Sequence, residues 1–321
     1  MSLAFVFPGQ GSQAVGMLDS LAAVPAVAAL IAEADAALGE PLSRLIADGP
    51  AESLALTVNT QPAMLLAGLA CYRAWRDAGG PDAAMVAGHS LGEYTALTAA
   101  DALRPADAFR LVRLRARAMQ EAVPVGSGAM AAILGLDDEK VMLACAQATE
   151  SFAGMPPRTA GVADVVEAAN FNSPGQVVIA GSTAAVAKAC EVAKALGAKR
   201  AMPLAVSAPF HSSLLQSAGR RLGAALREVT ISPPRVPVVD NVDVAVQSDP
   251  VAIADALVRQ SYGAVRWVEV MHKLVAMGAT HVIEFGPGKV LSGLARRIAP
   301  AVRASAVYDA ASLEATLKEV R

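Results

Sequence analysis

Gly88-His89-Ser90-Leu91-Gly92 decides how this chain is read. The pentapeptide follows an apolar run, Ala83-Ala84-Met85-Val86-Ala87, and opens an Ala-rich helical pattern over 93–100. Strand, tight turn and helix in that order form the context of a nucleophile elbow on an α/β sheet. The flanking glycines let the chain turn where a Cβ would clash. Such a turn presents the Ser90 hydroxyl, and the helix N-terminus behind it favours developing negative charge. A Gly/Ser-rich turn without chemistry is spelled the same way; the strand before and the helix after favour the elbow.

Outward from the elbow, short β-type runs alternate with longer helical patterns, which predicts an α/β fold with a largely parallel sheet. Strands are expected at 3–7, 85–88, 236–240, 281–285 and 304–308. The middle of the chain differs. It predicts a strand at 128–134, a helix at 137–149, strands at 165–170 and 176–180 turning through Asn172-Ser173-Pro174-Gly175, a helix at 183–196 and a strand at 199–206. That order, βαββαβ, is the ferredoxin-like pattern. Residues 126–205 are therefore expected to form a small insert in a larger α/β subdomain made of 1–125 and 206–321. Within the insert, 151–163, with Pro156-Pro157 and Gly161, predicts an exposed loop.

Composition narrows the function. The 321 residues are 54% hydrophobic and 17% charged, with a net charge of −2, which argues against nucleic acid as the main partner. The three cysteines have no C-x-x-C spacing and read as buried, reduced thiols. The four histidines are scattered, so no metal cluster is expected. No basic leader precedes Leu3-Ala4-Phe5-Val6-Phe7, and the apolar stretch 21–32 is too short to span a bilayer. The expected location is the cytoplasm, with no membrane partner.

Three further features carry chemistry. A helix from Pro105 to about Ala122 would align Leu111, Leu114, Ala118, Met119 and Ala122 in one apolar stripe. Arg115 falls inside that stripe, while Arg110, Arg113 and Arg117 fall outside it. A buried guanidinium needs an anionic partner. It snorkels, pairs with a structural carboxylate, or grips a carboxylate substrate bidentately. His211, in Val206-Ser207-Ala208-Pro209-Phe210-His211-Ser212, lies where the insert rejoins the larger subdomain. A histidine there is either structural or the general base that Ser90 lacks, a role suited to an imidazole near its ordinary pKa. Phe7-Pro8-Gly9-Gln10-Gly11-Ser12-Gln13 follows the first strand, and its N–H groups could complete an oxyanion hole. It lacks the Gly-Lys-Ser/Thr of a phosphate loop.

Taken in order, the Pro-Gly-Gln-Gly loop, Gly-His-Ser-Leu-Gly-Glu-Tyr, the Arg115 helix, Phe210-His211-Ser212, Val258-Arg259-Gln260 with Val265-Arg266-Trp267, and Glu284-Phe285-Gly286-Pro287-Gly288-Lys289-Val290-Leu291 resemble malonyl-CoA:acyl carrier protein transacylases from end to end. The resemblance implies an α/β-hydrolase-like subdomain with a ferredoxin-like insert and an active site between them. It implies Ser90 as nucleophile, His211 as general base and acid, and Arg115 as the holder of the malonyl carboxylate. Backbone N–H groups of Gln10 and Leu91 would form the oxyanion hole. The Gln260 carbonyl would orient His211, so the dyad needs no third carboxylate. Asn170 and Asn172 would line the cleft from the insert, and Gln61 would stand at a helix start near the site. The implied reaction moves malonyl from malonyl-CoA to holo acyl carrier protein through a malonyl-serine, with no cofactor beyond the CoA substrate and a monomeric protein.

The chain departs from the pattern at Asp240-Asn241, where similar enzymes often read Asn-Asn; no core catalytic role is expected there. The stretch 151–165 is longer than in compact members. Phe210 resembles malonyl-selective enzymes, where bulk leaves little room for an α-branch, a discrimination of roughly 1–3 kcal/mol per methyl. Competing readings are the malonyl transferase of a malonate decarboxylase or polyketide pathway, a serine esterase, and a non-catalytic carrier-docking module. Acidic carriers would dock on basic groups, with candidates Lys188, Lys194, Lys199 and Arg200 on the insert and Lys289, Arg296 and Arg297 near the C-terminus.

Overall fold

Alternation within individual strands explains the architecture. The structure, a computed structural model, describes residues 2–206 and 208–321; Ser207, in the His211 stretch, lies outside them. Nine strands are named among these residues: β1 Leu3–Phe7, β2 Met85–Gly88, β3 Gly128–Leu134, β4 Val166–Ser173, β5 Gln176–Ser182, β6 Arg200–Pro203, β7 Val238–Val239, β8 His281–Phe285 and β9 Arg303–Val307.

In β1, Leu3, Phe5 and Phe7 enter one core and Ala4 and Val6 another. A strand buried on both faces belongs inside a parallel sheet covered by helices. β1 is the central strand of a five-stranded sheet ordered β7-β2-β1-β8-β9, with every pairing parallel. The aromatic rings of Phe5, Phe7, Tyr72, Trp75 and Phe285 pack mostly edge to face on one side of it.

The second sheet is antiparallel and ordered β4-β5-β3-β6. With helices Asp138–Glu150 and Thr183–Ala195, its chain order is βαββαβ. Ala131, Ile133, Val177 and Ile179 face the sheet's own helices. Met130, Ala132, Val178 and Ala180 face the other way, against Ala118 and Met119 of the Pro105–Gln120 helix and against Phe210 and Leu215. Period-2 patterning thus gives the small sheet one face for its own core and one for the larger unit.

Several boundaries move. The strand expected at 236–240 shortens to Val238–Val239 because the Asp240 carboxylate takes the amides of Val242, Asp243, Val244 and Ala245 and curls the chain. The strand expected at 199–206 ends at Pro203, and 204–206 instead line a cleft. β4 runs on to Ser173, so Asn170 and Asn172 lie in a strand. The stretch 151–163 is a series of mostly exposed turns, with one bridge between Thr159 and Val162. Cys71 and Cys145 are buried and Cys190 half-buried, all free; burial pushes the Cys71 and Cys145 thiols up to about 12. Among the described residues, no helix is long and apolar enough to cross a membrane and no group of residues could hold a metal ion.

Candidate active site

The elbow forms because only glycine fits its two flanks. A Cβ on Gly88 would lie 1.9 Å from the Gly92 carbonyl carbon, and one on Gly92 would lie 2.0 Å from the Phe7 oxygen. Between them Ser90 is held at φ +54°, a left-handed conformation that a non-glycine residue adopts only where its surroundings enforce it. Asn241 enforces it: its Oδ1 accepts the Ser90 N–H at 2.7 Å, and its Nδ2 donates to the Gly88 carbonyl at 2.7 Å. Sequence reading noted Asp240-Asn241 only as a departure from the family pattern, expected no core catalytic role there and missed this one; its signal was its place at the end of an apolar strand.

Ser90 opens into a cleft of about 650 Å³ between the two sheets. His211 is brought there from the chain's return out of the small sheet, at φ +62°. Its Nε2 lies 2.6 Å from Ser90 Oγ, and its Nδ1 donates to the Gln260 carbonyl at 2.8 Å and more weakly to the Gly263 carbonyl at 3.2 Å. A proton fixed on Nδ1 leaves the Nε2 lone pair facing the hydroxyl. Burial, and then the Arg115 charge, push the imidazole down to about 3, outweighing its hydrogen bonds to backbone. The expectation of an ordinary imidazole pKa is thus corrected: His211 stays neutral far into acid.

Arg115 is 2% exposed. Its Nη1 donates to Gln61 Oε1 at 2.7 Å, and its Nη2 to Gln260 Oε1 at 2.9 Å and Ser90 Oγ at 3.2 Å. The guanidinium packs over the Tyr94 ring, 5.5 Å from its centroid. All its hydrogen-bond acceptors are neutral, so of the three readings of Arg115, snorkelling and direct pairing with a structural carboxylate both fail. What remains is a desolvated cation at the floor of a cleft, beside a serine. Burial lowers its pKa.

Gln10, Leu91 and Asn170 line the cleft, and so does Asn172, whose Oδ1 lies 2.8 Å from His89 Nε2. Gln61 sits one turn inside the helix Thr57–Asp77 rather than at its start. Gln260 does more than its carbonyl suggested: its Nε2 donates to the Ser90 carbonyl at 2.8 Å and to Glu93 Oε2 at 3.0 Å. Glu93 is the other residue that sequence reading missed. It is an acid in the wholly buried helix Gly92–Ala99, the kind of misfit that had singled out Arg115. Burial pushes its carboxyl up to about 8, against hydrogen bonds from Gln260 and Asn241 that favour the charged form.

The comparisons with known proteins agree with one another. Residues 4–311 match the acyl transferase domain family. A malonyl CoA-acyl carrier protein transacylase of Salmonella typhimurium is 50% identical over 317 residues, covering 98% of this chain and 99% of that protein. The crystal structure of an acyl-carrier-protein S-malonyltransferase from Burkholderia pseudomallei 1710b superposes with a TM-score of 0.93 at 57% identity, covering 99% of this chain and 100% of that one. A malonyl-transacylase solved in complex with its type II PKS acyl-carrier protein gives a TM-score of 0.93 at 46% identity, with 99% and 100% coverage.

Proposed function

Because this chain belongs to the acyl transferase domain family, we propose that it transfers malonyl from malonyl-CoA to the thiol of holo acyl carrier protein, supplying fatty-acid synthesis in the cytoplasm. The observation that carries the reading is the 3.2 Å between the Ser90 hydroxyl and a buried arginine whose acceptors are all neutral. A malonyl thioester has its carboxylate one carbon from the reacting carbonyl. A site for it needs a cation about one acyl length from the nucleophile, whereas an esterase for neutral acyl groups has no use for one. The intact nucleophile Ser90, base His211, cation Arg115 and orienting Gln260 also count against a docking module without chemistry.

In this mechanism Arg115 pairs with the substrate carboxylate. His211 Nε2 takes the Ser90 proton as Oγ bonds to the thioester carbon. The oxyanion is received by the N–H groups of Gln10 and Leu91; one such donor is worth about 3 kcal/mol. The C–S bond breaks, and His211 returns its proton to the departing CoA sulfur, leaving malonyl-O-Ser90. The carrier's phosphopantetheine thiol then gives its proton to His211 and attacks the ester. The C–O bond breaks and Ser90 recovers the proton, which is ping-pong turnover. Gln260, through its carbonyl, keeps His211 in the tautomer that both halves require. Asn170 and Asn172 border the acyl group from the insert.

Among the basic groups, Arg297 supports a docking face best. It donates to Gln176 at 2.6 Å, and Gln176 lines the cleft. Lys289 adjoins the cleft residue Val290, whereas Lys188 is engaged with Glu191.

The test is intact-protein mass after brief mixing with malonyl-CoA, then after adding holo acyl carrier protein. One malonyl adduct that moves to the carrier is the expected result. An adduct that only hydrolyses means an esterase or a different acceptor.

A further inference from the structure

Buried cations are normally neutralised by a carboxylate in direct contact. Arg115 is not; the nearby carboxylate, Glu93, is reached only through Gln260. Arg115 Nη2 donates to Gln260 Oε1, and Gln260 Nε2 donates to Glu93 Oε2. The same Glu93 oxygen accepts the Asn241 backbone N–H at 3.1 Å. We propose that Glu93 is the positioning residue for substrate recognition: it locks the Gln260 amide in one orientation, and through it aims Arg115 while leaving the guanidinium free for the carboxylate of the acyl donor.

Each end of the Gln260 amide meets only complementary groups. The Oε1 end faces a guanidinium, which can only donate. The Nε2 end faces the Ser90 carbonyl and Glu93 Oε2, which accept. A flipped amide would set NH₂ against guanidinium and oxygen against two oxygens, in a site where unpaired polar groups are expensive. Replacing the Glu93 carboxyl by an amide, which can turn either end toward Gln260, weakens this lock and lets Arg115 swing toward other acceptors. A direct Glu93–Arg115 ion pair would have the opposite fault, since the incoming carboxylate would have to displace it. The interposed amide lets Glu93 fix Gln260, and through it Arg115, without occupying the donors of the guanidinium. Asn241, held on the same carboxylate, ties this arrangement to the Ser90 turn.

This inference rests on the reading of Arg115 as carboxylate holder, and the test separates the two. Two acyl donors are compared by Ser90 acylation: malonyl-CoA, which needs Arg115, and p-nitrophenyl acetate, which carries no carboxylate on its acyl group. In Glu93→Gln, kcat/KM for malonyl-CoA is expected to fall about tenfold further than for the neutral ester, mainly through KM. Glu93→Asp keeps the carboxyl on a shorter arm. It should give a smaller loss in the same direction, and it serves if Glu93→Gln does not fold. Equal losses with both donors, in whichever variant folds, would make Glu93 a packing residue and overturn the proposal. Arg115→Ala is run beside them. If it too leaves the ratio of the donors unchanged, the carboxylate-holder reading is the one that fails.

Discussion

The Arg115 guanidinium donates to the Ser90 hydroxyl oxygen that in turn faces the His211 imidazole. One cation therefore acts on both members of the dyad. It favours negative charge on the serine oxygen and opposes a proton on the histidine.

Arg115→Ala should lower kcat/KM for malonyl-CoA by at least 100-fold and affect short neutral acyl donors much less. The removed interaction is a charge-assisted, desolvated one, worth about 3 kcal/mol. Competition between malonyl-CoA and acetyl-CoA, read by intact mass, checks it. An unchanged preference for malonyl would remove Arg115 from recognition.

His211 gives a pH prediction with a definite sign. With its pKa pushed down to about 3, acylation should show no acid limb near 6.5. In Arg115→Ala the opposing charge is gone, so the limb should move to higher pH, read with the neutral ester between pH 4 and 8. Stability follows the same linkage. Between about 3 and 6.5 the unfolded chain binds a proton that the folded one refuses, so this group makes folding less favourable as pH falls through that window. Urea midpoints at pH 7 and pH 5 test it against His211→Gln, in which the effect should shrink.

Ser90→Ala should reduce acylation by roughly 10⁴-fold or more. A malonyl adduct that still formed at the wild-type rate would place the acyl-accepting group elsewhere.

Asn241→Ala leaves the Ser90 N–H and the Gly88 carbonyl without their partner. At about 1–3 kcal/mol for each buried unpaired group, a loss of about 2–6 kcal/mol is expected, with slower acylation as the turn relaxes. Denaturant titration and burst kinetics on one preparation would show both.

Two glycine substitutions should differ in sign. Gly92→Ala drives a methyl into the Phe7 carbonyl and should destabilise by at least about 3 kcal/mol. Gly293, in the helix Val290–Ile298, has nothing within 4 Å of its Cβ position, and Gly293→Ala should stabilise by about 0.5–1 kcal/mol. Melting temperatures of the pair decide it.

Local patterning made the frame legible. β1, β2, β3 and β8 were read to the residue because each is an apolar run with sharp turn signals. Edges were less legible wherever a side chain or a proline intervened, as at Asp240 and Pro203. Ser90, Arg115, His211 and Gln260 were picked out by motif or misfit, and the fold brings their atoms together. Glu93 was not singled out and Asn241 was expected to have no core role, because their work lies in bonds to residues about 150 positions away. No local pattern records such bonds.

The sheet order β7-β2-β1-β8-β9 also bears on how the protein is made. The small sheet comes from one continuous segment, so all its strands leave the ribosome together and can pair at once. β1 emerges first, yet one of its neighbours, β8, is synthesised almost last. For most of translation the central strand has an open, apolar edge. The insert should gain protease resistance early on stalled nascent chains. The parallel sheet should gain it only once residues beyond Phe285 have cleared the exit tunnel.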